Sequence, residues 1–417
     1  MTIEELYSVF LASKGISTDT RTIAEGQLFF ALKGENFDAD KFALQALEKG
    51  ASRAVVSSAC KEDDARLIKV ENTFETLRSL AIHHRSHIRI PVIGLTGTNG
   101  KTTTKELIRT ALGAAYRVSA TEGNLNNDIG VPLTVLRIPS DAEIAIVEMG
   151  ASHPDDLVPL LEVARPTLGL ITNVGKAHLE GFGSFEGVKH AKGLLYDYLK
   201  SYGGTVFANA GDPVLEGMLE ERGIDAIKYS AAQVKISANP FLRMEFRGGE
   251  VLQTKIVGAY NAPNVLAALC LAWYFDVAPD KAMEAISAYI SSNNRSQLLK
   301  TQKNTVIVDA YNANPSSMAV AVSNLRMMEG KRIALLGDMR ELGADSAAEH
   351  ERVVESLEGL DAMLVGEEFT KAAKGKYLCF NTSDELAAYL AKHPIEGCTV
   401  LVKGSRGTRM EKVIPSL

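Results

Sequence analysis

The sequence of 417 residues contains few cysteines and a single tryptophan. Its four cysteines, Cys60, Cys270, Cys379 and Cys398, lie far apart, and none forms a Cys-x-x-Cys pair. Zinc sites and disulfide frameworks need cysteines that are closely spaced or numerous, so neither is indicated. We expect reduced thiols and a cytoplasmic protein.

Long apolar runs and clusters of basic residues are also missing. No run approaches the roughly 20 apolar residues that a membrane-spanning helix needs, and the first residues lack the basic and apolar regions typical of a secretory leader. Lys and Arg number 45 against 51 Asp and Glu, which gives a net charge of −6. We therefore expect neither membrane insertion nor nucleic-acid binding.

Alternating strand and helix patterns predict an α/β protein of three domains. At about 150 residues per domain, the length alone favours roughly three. We expect a small, self-contained α/β domain over residues 1–88, a central domain over 89–294 and a C-terminal α/β domain over 295–417, the last two joined by a polar hinge at 291–297. Nearly continuous apolar runs, typical of buried parallel strands, occupy 92–96, 144–148, 168–173, 306–309, 332–337, 362–366 and 399–403.

The strongest local pattern is a glycine-rich turn, VIGLTGTNGKTT over residues 92–103, between a predicted strand and a predicted helix. Backbone N–H groups of such a turn cradle phosphate oxygens, and the following helix adds the positive end of its dipole. Lys101 supplies a charge for the phosphates and Thr102 a hydroxyl for Mg²⁺. The strict pattern would place a glycine at Leu95, whereas glycines stand at 94 and 97. The order of strand, turn and helix still favours nucleotide binding over a surface turn that merely contains lysine.

Three further residues are candidates for the functional site, but the sequence pattern alone leaves their roles open. Glu148 ends a predicted strand, at the edge where open parallel sheets bind ligands, and is either a Mg²⁺ ligand or an exposed acid. His178 follows the next strand in a glycine-containing loop and is either a metal ligand or an ordinary hydrogen-bonded residue. Lys192 lies on a predicted helix, where spacing alone indicates a solvated surface residue.

A histidine cluster and two groups of amides complete the candidates. His83, His84 and His87 have helical spacing, but Arg85 and Arg89 are interleaved with them, which favours a solvated helix end over a metal site. Side-chain amides either cap turns and helices or line a polar cleft. They are concentrated at Asn124, Asn126 and Asn127, and again at Asn261 and Asn264.

Together these segments resemble the Mur ligases, the ATP-dependent amide-forming enzymes of peptidoglycan synthesis, over essentially the whole chain. The matching segments are 94–104, 122–130, 148–150, 173–183, 309–315, 336–343 and 402–406. The YNANP segment at 311–315 and the GDMREL segment at 337–342 indicate the branch that joins D-alanyl-D-alanine to UDP-N-acetylmuramoyl-tripeptide. The resemblance implies a UDP-binding first domain, a central P-loop ATPase domain with a parallel sheet, and a Rossmann-like C-terminal domain.

The resemblance also implies roles for individual residues. The nucleotide-binding set comprises Gly97, Thr98, Asn99, Gly100, Lys101, Thr102, Thr103, Asn261, Asn264, Arg295, Asp309 and Tyr311. The metal set comprises Thr102, Glu148, His178 and Lys192, with Lys192 carbamylated and two Mg²⁺ ions expected. Catalytic roles fall on Lys101, Lys192, His178 and Arg295. The substrate set comprises Ser17, Thr18, Asp19 and Arg21 on the UDP side, with Asn124, Asn126 and Asn127.

Three positions depart from the family pattern, and other activities remain open. Tyr260 stands where many Mur ligases have His, Asp40 stands where the segment often has His, and Leu194 stands where an acid is frequent. The alternatives are a Mur-type ligase that adds one amino acid to a UDP-muramoyl dipeptide or glutamate to a folate, and a P-loop nucleotide switch. We expect a monomer that acts on its two substrates.

Overall fold

The computed structural model describes residues 1–34, 37–291 and 295–417. Within these ranges strands and helices alternate, and three main sheets follow one another along the chain. The predicted α/β class is confirmed. Residues 292–294 of the predicted hinge lie outside the described residues. No helix of the described residues is long and apolar enough to cross a membrane.

The first sheet has four parallel strands in the order β1-β2-β5-β6. The elements of this part are α1 (Ile3–Leu11), β1 (Ile16–Ser17), β2 (Leu28–Phe30), β3 (Lys33–Gly34), β4 (Phe37–Asp38), α2 (Ala43–Glu48), β5 (Arg53–Ser57), β6 (Leu67–Val70) and α3 (Thr73–His87). The short strands β3 and β4 pair with each other. Asn72 begins α3 by accepting bonds from the backbone N–H groups of Phe74 and Glu75.

The central sheet has six parallel strands in the order β12-β11-β10-β7-β9-β8, followed by the antiparallel sheet β13-β14-β15. The elements are β7 (Val92–Thr96), α4 (Lys101–Leu112), β8 (Val118–Ala120), α5 (Gly130–Leu136), β9 (Ile144–Glu148), α6 (Leu157–Ala164), β10 (Leu168–Ile171), α7 (Leu179–Phe182), α8 (Phe185–Ser201), β11 (Thr205–Asn209), α9 (Pro213–Arg222), β12 (Ile227–Tyr229), β13 (Val234–Ala238), β14 (Phe241–Phe246), β15 (Val251–Val257), α10 (Ala262–Tyr274) and α11 (Pro279–Ala288).

The position of β7 decides where a ligand can bind. β7 lies between β9 and β10, and every residue of β7 and β9 is buried, as their continuous apolar runs predict. After β7, the strands β8 and β9 lie on one side of β7, and the chain then crosses to form β10 on the other side of β7. A crevice opens at the carboxyl end of a strand where the order reverses in this way.

The third sheet has the order β16-β17-β21-β18-β19-β20, and only its edge strand β16 is antiparallel to its neighbour. The elements are β16 (Gln297–Lys300), β17 (Thr305–Asp309), α12 (Pro315–Arg326), β18 (Lys331–Gly337), α13 (Ser346–Ser356), β19 (Asp361–Val365), α14 (Glu367–Ala373), β20 (Leu378–Phe380), α15 (Ser383–Lys392) and β21 (Cys398–Lys403). Helices cover both faces, since separate buried clusters lie on the two sides of this sheet.

The first part is not wholly self-contained as expected: it has a buried cluster of its own around Phe29 and Val56, and it shares a second cluster with the central part. Phe10 of α1 and Leu77 of α3 belong to the same buried cluster as Val131 of α5 and Leu157 of α6. Arg85, expected on a solvated helix end, is buried: its guanidinium donates to the carbonyls of Ala164 at 2.7 Å, Arg165 at 2.7 Å and Ile88 at 2.8 Å. The first part is therefore fixed to the end of α6.

Candidate nucleotide and magnesium site

The glycine-rich turn lies between β7 and α4, at the crevice. Gly97 has φ 143° and Gly100 has φ 78°, conformations that other residues seldom adopt. A Cβ atom on Gly97 would stand 2.0 Å from Oγ1 of Thr172, and one on Gly100 would stand 2.9 Å from Oδ1 of Asn264. Both positions therefore require glycine, for backbone conformation and for space.

Hydrogen bonds from two distant segments hold this turn in shape. The side chain of Asn173 accepts from the N–H of Asn99 at 3.0 Å and donates to its carbonyl at 2.9 Å. Nδ2 of Asn314, which caps α12 in the third part, donates to Oδ1 of Asn99 at 2.8 Å. Oγ1 of Thr98 accepts from the N–H of Gly175 at 2.9 Å. Protein hydrogen bonds alone therefore hold the cradle in shape.

Lys101 begins α4 and folds back over the turn. Its Nζ donates to the carbonyls of Gly97 at 2.7 Å and Thr98 at 3.1 Å. The side chain retains some exposure, but its ammonium lies deep among protein atoms, and this burial lowers the pKa of Lys101 to about 8. A bound phosphate would place a full negative charge next to this ammonium, whereas the two carbonyls offer only partial negative charge.

Glu148 ends β9 with a buried carboxylate directed at the start of α4. Oγ1 of Thr102 donates to it at 3.0 Å, and Nδ2 of Asn126 donates at 2.9 Å. Lys105, one turn after Lys101 on α4, is fully buried with its Nζ 4.0 Å from Oε2 of Glu148. The same Nζ donates to the carbonyl of Thr121, whose Oγ1 accepts from the N–H of Glu148. A buried carboxylate beside a threonine hydroxyl is an oxygen pair that suits Mg²⁺.

His178 and Lys192 come from α7 and α8, on the far side of the crevice. His178 lies just before α7 with φ 51°, and its Nδ1 contacts Oε2 of Glu341. Burial lowers the pKa of His178, against the opposing effect of Glu341.

Lys192 is buried, contrary to the solvated surface that its spacing indicates, and donates to the carbonyl of Ala151 at 3.2 Å. Burial, followed by the charge of Lys101, lowers the pKa of Lys192 well below its ordinary value.

A cavity of about 560 Å³ brings most of these groups together. Its lining includes the predicted residues Thr98, Asn99, Gly100, Lys101, Asn124, Asn126, Asn127, Glu148, His178, Arg295 and Tyr311. The guanidinium of Arg295 stacks 3.9 Å from the ring centre of Tyr311, so the cavity has one wall from the third part. Asn127 also has a local role, since its Oδ1 accepts from the N–H of Gly130.

A second cavity, of about 370 Å³, lies on the other side of the turn. Thr103, Tyr260, Asn261, Asn264 and Asp309 line it, together with Asn99 and Gly100. Neither amide caps α10 through its side chain: Asn261 donates to the carbonyl of Val257, and Asn264 donates to Asn261 at 2.8 Å. The carboxylate of Asp309 is fixed by the N–H of Ser296 at 3.2 Å and by Lys403 at 2.6 Å. An aromatic ring, two amides and a carboxylate are suited to a nucleoside.

The residues predicted for the UDP side do not line either cavity. Ser17 ends β1 in a buried position, and Thr18 and Asp19 follow it. Asp19 pairs with the exposed Arg21, whose guanidinium lowers the pKa of Asp19 to about 2. Asp40, which stands where the family often has His, is buried, and its carboxylate accepts a hydrogen bond from the N–H of Ser57 at 3.0 Å. These residues form a separate polar edge of the first sheet.

Sequence reasoning did not assign several residues that hold the site. Asn173 and Asn314 fix Asn99, Lys105 faces Glu148, and Glu341 contacts His178. Asn173, Asn314 and Glu341 lie within segments that resemble the family, but their roles depend on contacts between distant segments. The only local signal for Lys105 is its spacing of four residues from Lys101.

The fold and this site define a P-loop nucleotide-binding protein in which a third α/β part closes over the phosphate turn. Residues 95–272 match the family described as the Mur ligase middle domain, and residues 294–406 match the Mur ligase, glutamate ligase domain. The chain belongs to the Mur ligase family.

Relatives of known name match nearly the whole chain. A Bacillus subtilis protein named UDP-N-acetylmuramoyl-tripeptide–D-alanyl-D-alanine ligase is 33% identical over 97% of this chain and 93% of its own length. The protein of the same name from Escherichia coli is 34% identical over 99% of this chain and 95% of its own.

Solved structures show the same architecture. MurF from Acinetobacter baumannii superposes with a TM-score of 0.87 at 28% identity, covering 100% of this chain and 98% of that one. MurF ligase from Thermotoga maritima, in complex with ADP, superposes with a TM-score of 0.84 at 27% identity, covering 97% of each chain.

Proposed function

We propose that this protein is the ATP-dependent ligase that joins D-alanyl-D-alanine to UDP-N-acetylmuramoyl-tripeptide. The observation that carries this proposal is the phosphate turn facing a wall from the third part, in a chain that matches ligases of that name over nearly its whole length. The product is the UDP-linked pentapeptide precursor of peptidoglycan, with ADP and phosphate.

The chemistry follows from the weakness of a carboxylate as an acyl donor. Its oxygen attacks the γ-phosphorus of ATP, the bond to ADP breaks, and an acyl phosphate forms. The amine of D-alanyl-D-alanine then attacks the acyl carbon and loses a proton. The tetrahedral intermediate collapses to the amide as the bond from the acyl carbon to the phosphate oxygen breaks and phosphate leaves. Most of the catalysis is positioning and neutralisation of charge, because two anions must approach each other.

We assign that neutralisation to the cations of the first cavity, of about 560 Å³. Lys101 lies on the turn where the terminal phosphates would rest, and Arg295 faces it from the third part. The fixed N–H groups of the turn and the start of α4 add partial positive charge. In the second cavity, Asn261 and Asn264 are assigned to adenine, and Asp309 to the ribose.

Binding of Mg²⁺ is part of this proposal, and the side chains of the site are suited to hold it. Thr102 and Glu148 would hold one ion, and His178 with Lys192 as a carbamate would hold a second. No group of three or more His, Cys, Asp or Glu able to hold a metal occurs among the described residues, and Mg²⁺ sites at ATP commonly use one or two carboxylates plus phosphates and water. When bound, Mg²⁺ neutralises phosphate charge.

A carbamate at Lys192 is supported by burial of the amine. Only the neutral amine attacks CO₂, and the lowered pKa of Lys192 increases that fraction. The carbamate would replace a cation by an oxygen ligand in a site already holding Lys101.

The remaining assignments complete the proposal. We place UDP recognition at Ser17, Thr18, Asp19 and Arg21 in a domain of residues 1–88, ATP binding in 89–294, and D-alanyl-D-alanine with the ATP ribose in 295–417. Asn124, Asn126 and Asn127 are assigned to the tripeptide substrate. The protein is proposed to be cytoplasmic and monomeric.

Phosphate release from ATP tests the proposal. Release that needs both UDP-N-acetylmuramoyl-tripeptide and D-alanyl-D-alanine is expected. Equal release with a single amino acid would indicate a ligase that adds one residue, and release without either substrate would indicate a nucleotide switch. Mass spectrometry of the pentapeptide product provides the second readout.

A further inference from the structure

Glu341, at the carboxyl edge of the third sheet, reaches the candidate metal ligand His178. Oε2 of Glu341 contacts Nδ1 of His178. Glu341 has φ 62° and His178 has φ 51°, and residues other than glycine seldom adopt such backbone conformations. Unusual backbone conformations of this kind concentrate at functional sites.

A hydrogen bond and an ion pair also join the segment around His178 to the segment that begins at Glu341. The carbonyl of Glu341 accepts from the N–H of Glu180 at 3.4 Å, and Nζ of Lys176 pairs with the buried Glu349 at 3.0 Å. We call the contacts between residues 176–180 and 341–349 the loop contact. His178 therefore meets Glu341 only while the third part rests against the central part.

The contact determines which nitrogen of His178 carries the proton. A carboxylate oxygen can only accept, so in the neutral ring the proton lies on Nδ1 and the lone pair on Nε2. His178 lines the first cavity, of about 560 Å³, whereas Glu341 lines a separate cavity of about 960 Å³ in the third part. Nε2 is thus the nitrogen left for a ligand in the first cavity. Metal-binding histidines commonly have such a carboxylate on their other nitrogen.

We propose that Glu341 is a positioning residue that fixes the tautomer of His178 and so makes the second cation site depend on docking of the third part. This inference rests on the proposed function, because it takes His178 to be a ligand of a divalent cation. Without Glu341, both tautomers of the ring are accessible, and the ring loses one of its orienting contacts.

The first experiment measures the tautomer without metal or substrates. Nitrogen NMR of ¹⁵N-histidine-labelled protein gives separate shifts for Nδ1 and Nε2, and the variant His178→Asn identifies which signals belong to His178. The Nδ1–H tautomer is expected in the natural chain and a mixture in Glu341→Ala. The control Lys176→Ala breaks the neighbouring pair of the loop contact without touching His178, and it should retain the natural tautomer. Since the side chain of Glu341 is 60% exposed, Glu341→Ala should fold, and thermal melting checks this.

The second experiment measures binding of Mn²⁺ by electron paramagnetic resonance, with a non-hydrolysable ATP analogue present. Glu341→Ala should weaken the weaker Mn²⁺ site about 10-fold or more, while Lys176→Ala stays within about two-fold. An unchanged tautomer, or a changed tautomer with unchanged Mn²⁺ binding, would overturn the role of Glu341. Neither readout needs turnover, so failure of the ligase assay would count against the proposed function alone.

Discussion

At the scale of single residues, Lys101 is the side chain on which nucleotide chemistry depends most directly. Lys101→Ala should lower kcat by about 10²–10³-fold, since a preorganised positive charge at the phosphates is lost. Stability should change little, because among the described residues the ammonium donates only to two carbonyls of its own turn. Phosphate release measures the first effect and thermal melting the second. An active Lys101→Ala protein would show that the turn does not serve ATP as proposed.

At Lys192, the proposed carbamate can be tested directly by its carbon signal. In buffer containing ¹³C-bicarbonate, a carbamate carbon signal should appear in ¹³C NMR and disappear in Lys192→Met. Lys189 lies one turn earlier on α8 but pairs with Glu221 at 2.6 Å, so Lys189→Met should retain the signal. A spectrum that is the same with and without Lys192 would refute the modification.

At the scale of elements, the turn between β7 and α4 tolerates no side chain at Gly97. Gly97→Ala should weaken binding of an ATP analogue and lower activity by about 100-fold, because the new methyl group would displace the turn or Thr172. Gly217, inside α9, is the matched control: a Cβ there meets nothing within 4 Å. Gly217→Ala should raise the free energy of unfolding by about 0.5–1 kcal/mol and leave binding unchanged. Calorimetry and urea denaturation measure the two effects.

The elements also show how far sequence reasoning extends. The continuous apolar runs of β7, β9 and β10 and the glycine turn after β7 were predicted, because burial on both faces and phosphate binding each leave a local pattern. Strands β13, β16 and β20 were not predicted, since they are sheet-edge strands with half-exposed residues and weak patterns. The burial of Lys192 could not be predicted either, because it depends on packing between helices and not on spacing along α8.

At the scale of the whole molecule, Arg85 joins the first part to the central part. Arg85→Ala would leave three carbonyls without their donor, and we expect a loss of about 2–3 kcal/mol in the free energy of unfolding. Arg89, exposed just beyond α3, is the control, and Arg89→Ala should change stability by less than about 0.5 kcal/mol. Urea denaturation followed by circular dichroism compares them; equal stabilities would mean that the shared apolar core alone holds the two parts.

The bond from Asn314 to Asn99 has a consequence for the growing chain during synthesis. The turn that receives the nucleotide is translated about two hundred residues before the amide that completes its support. We expect a chain that ends before Asn314 to bind ATP more weakly, because its phosphate turn would keep the hydrogen bonds from Asn173 and lack the one from Asn314.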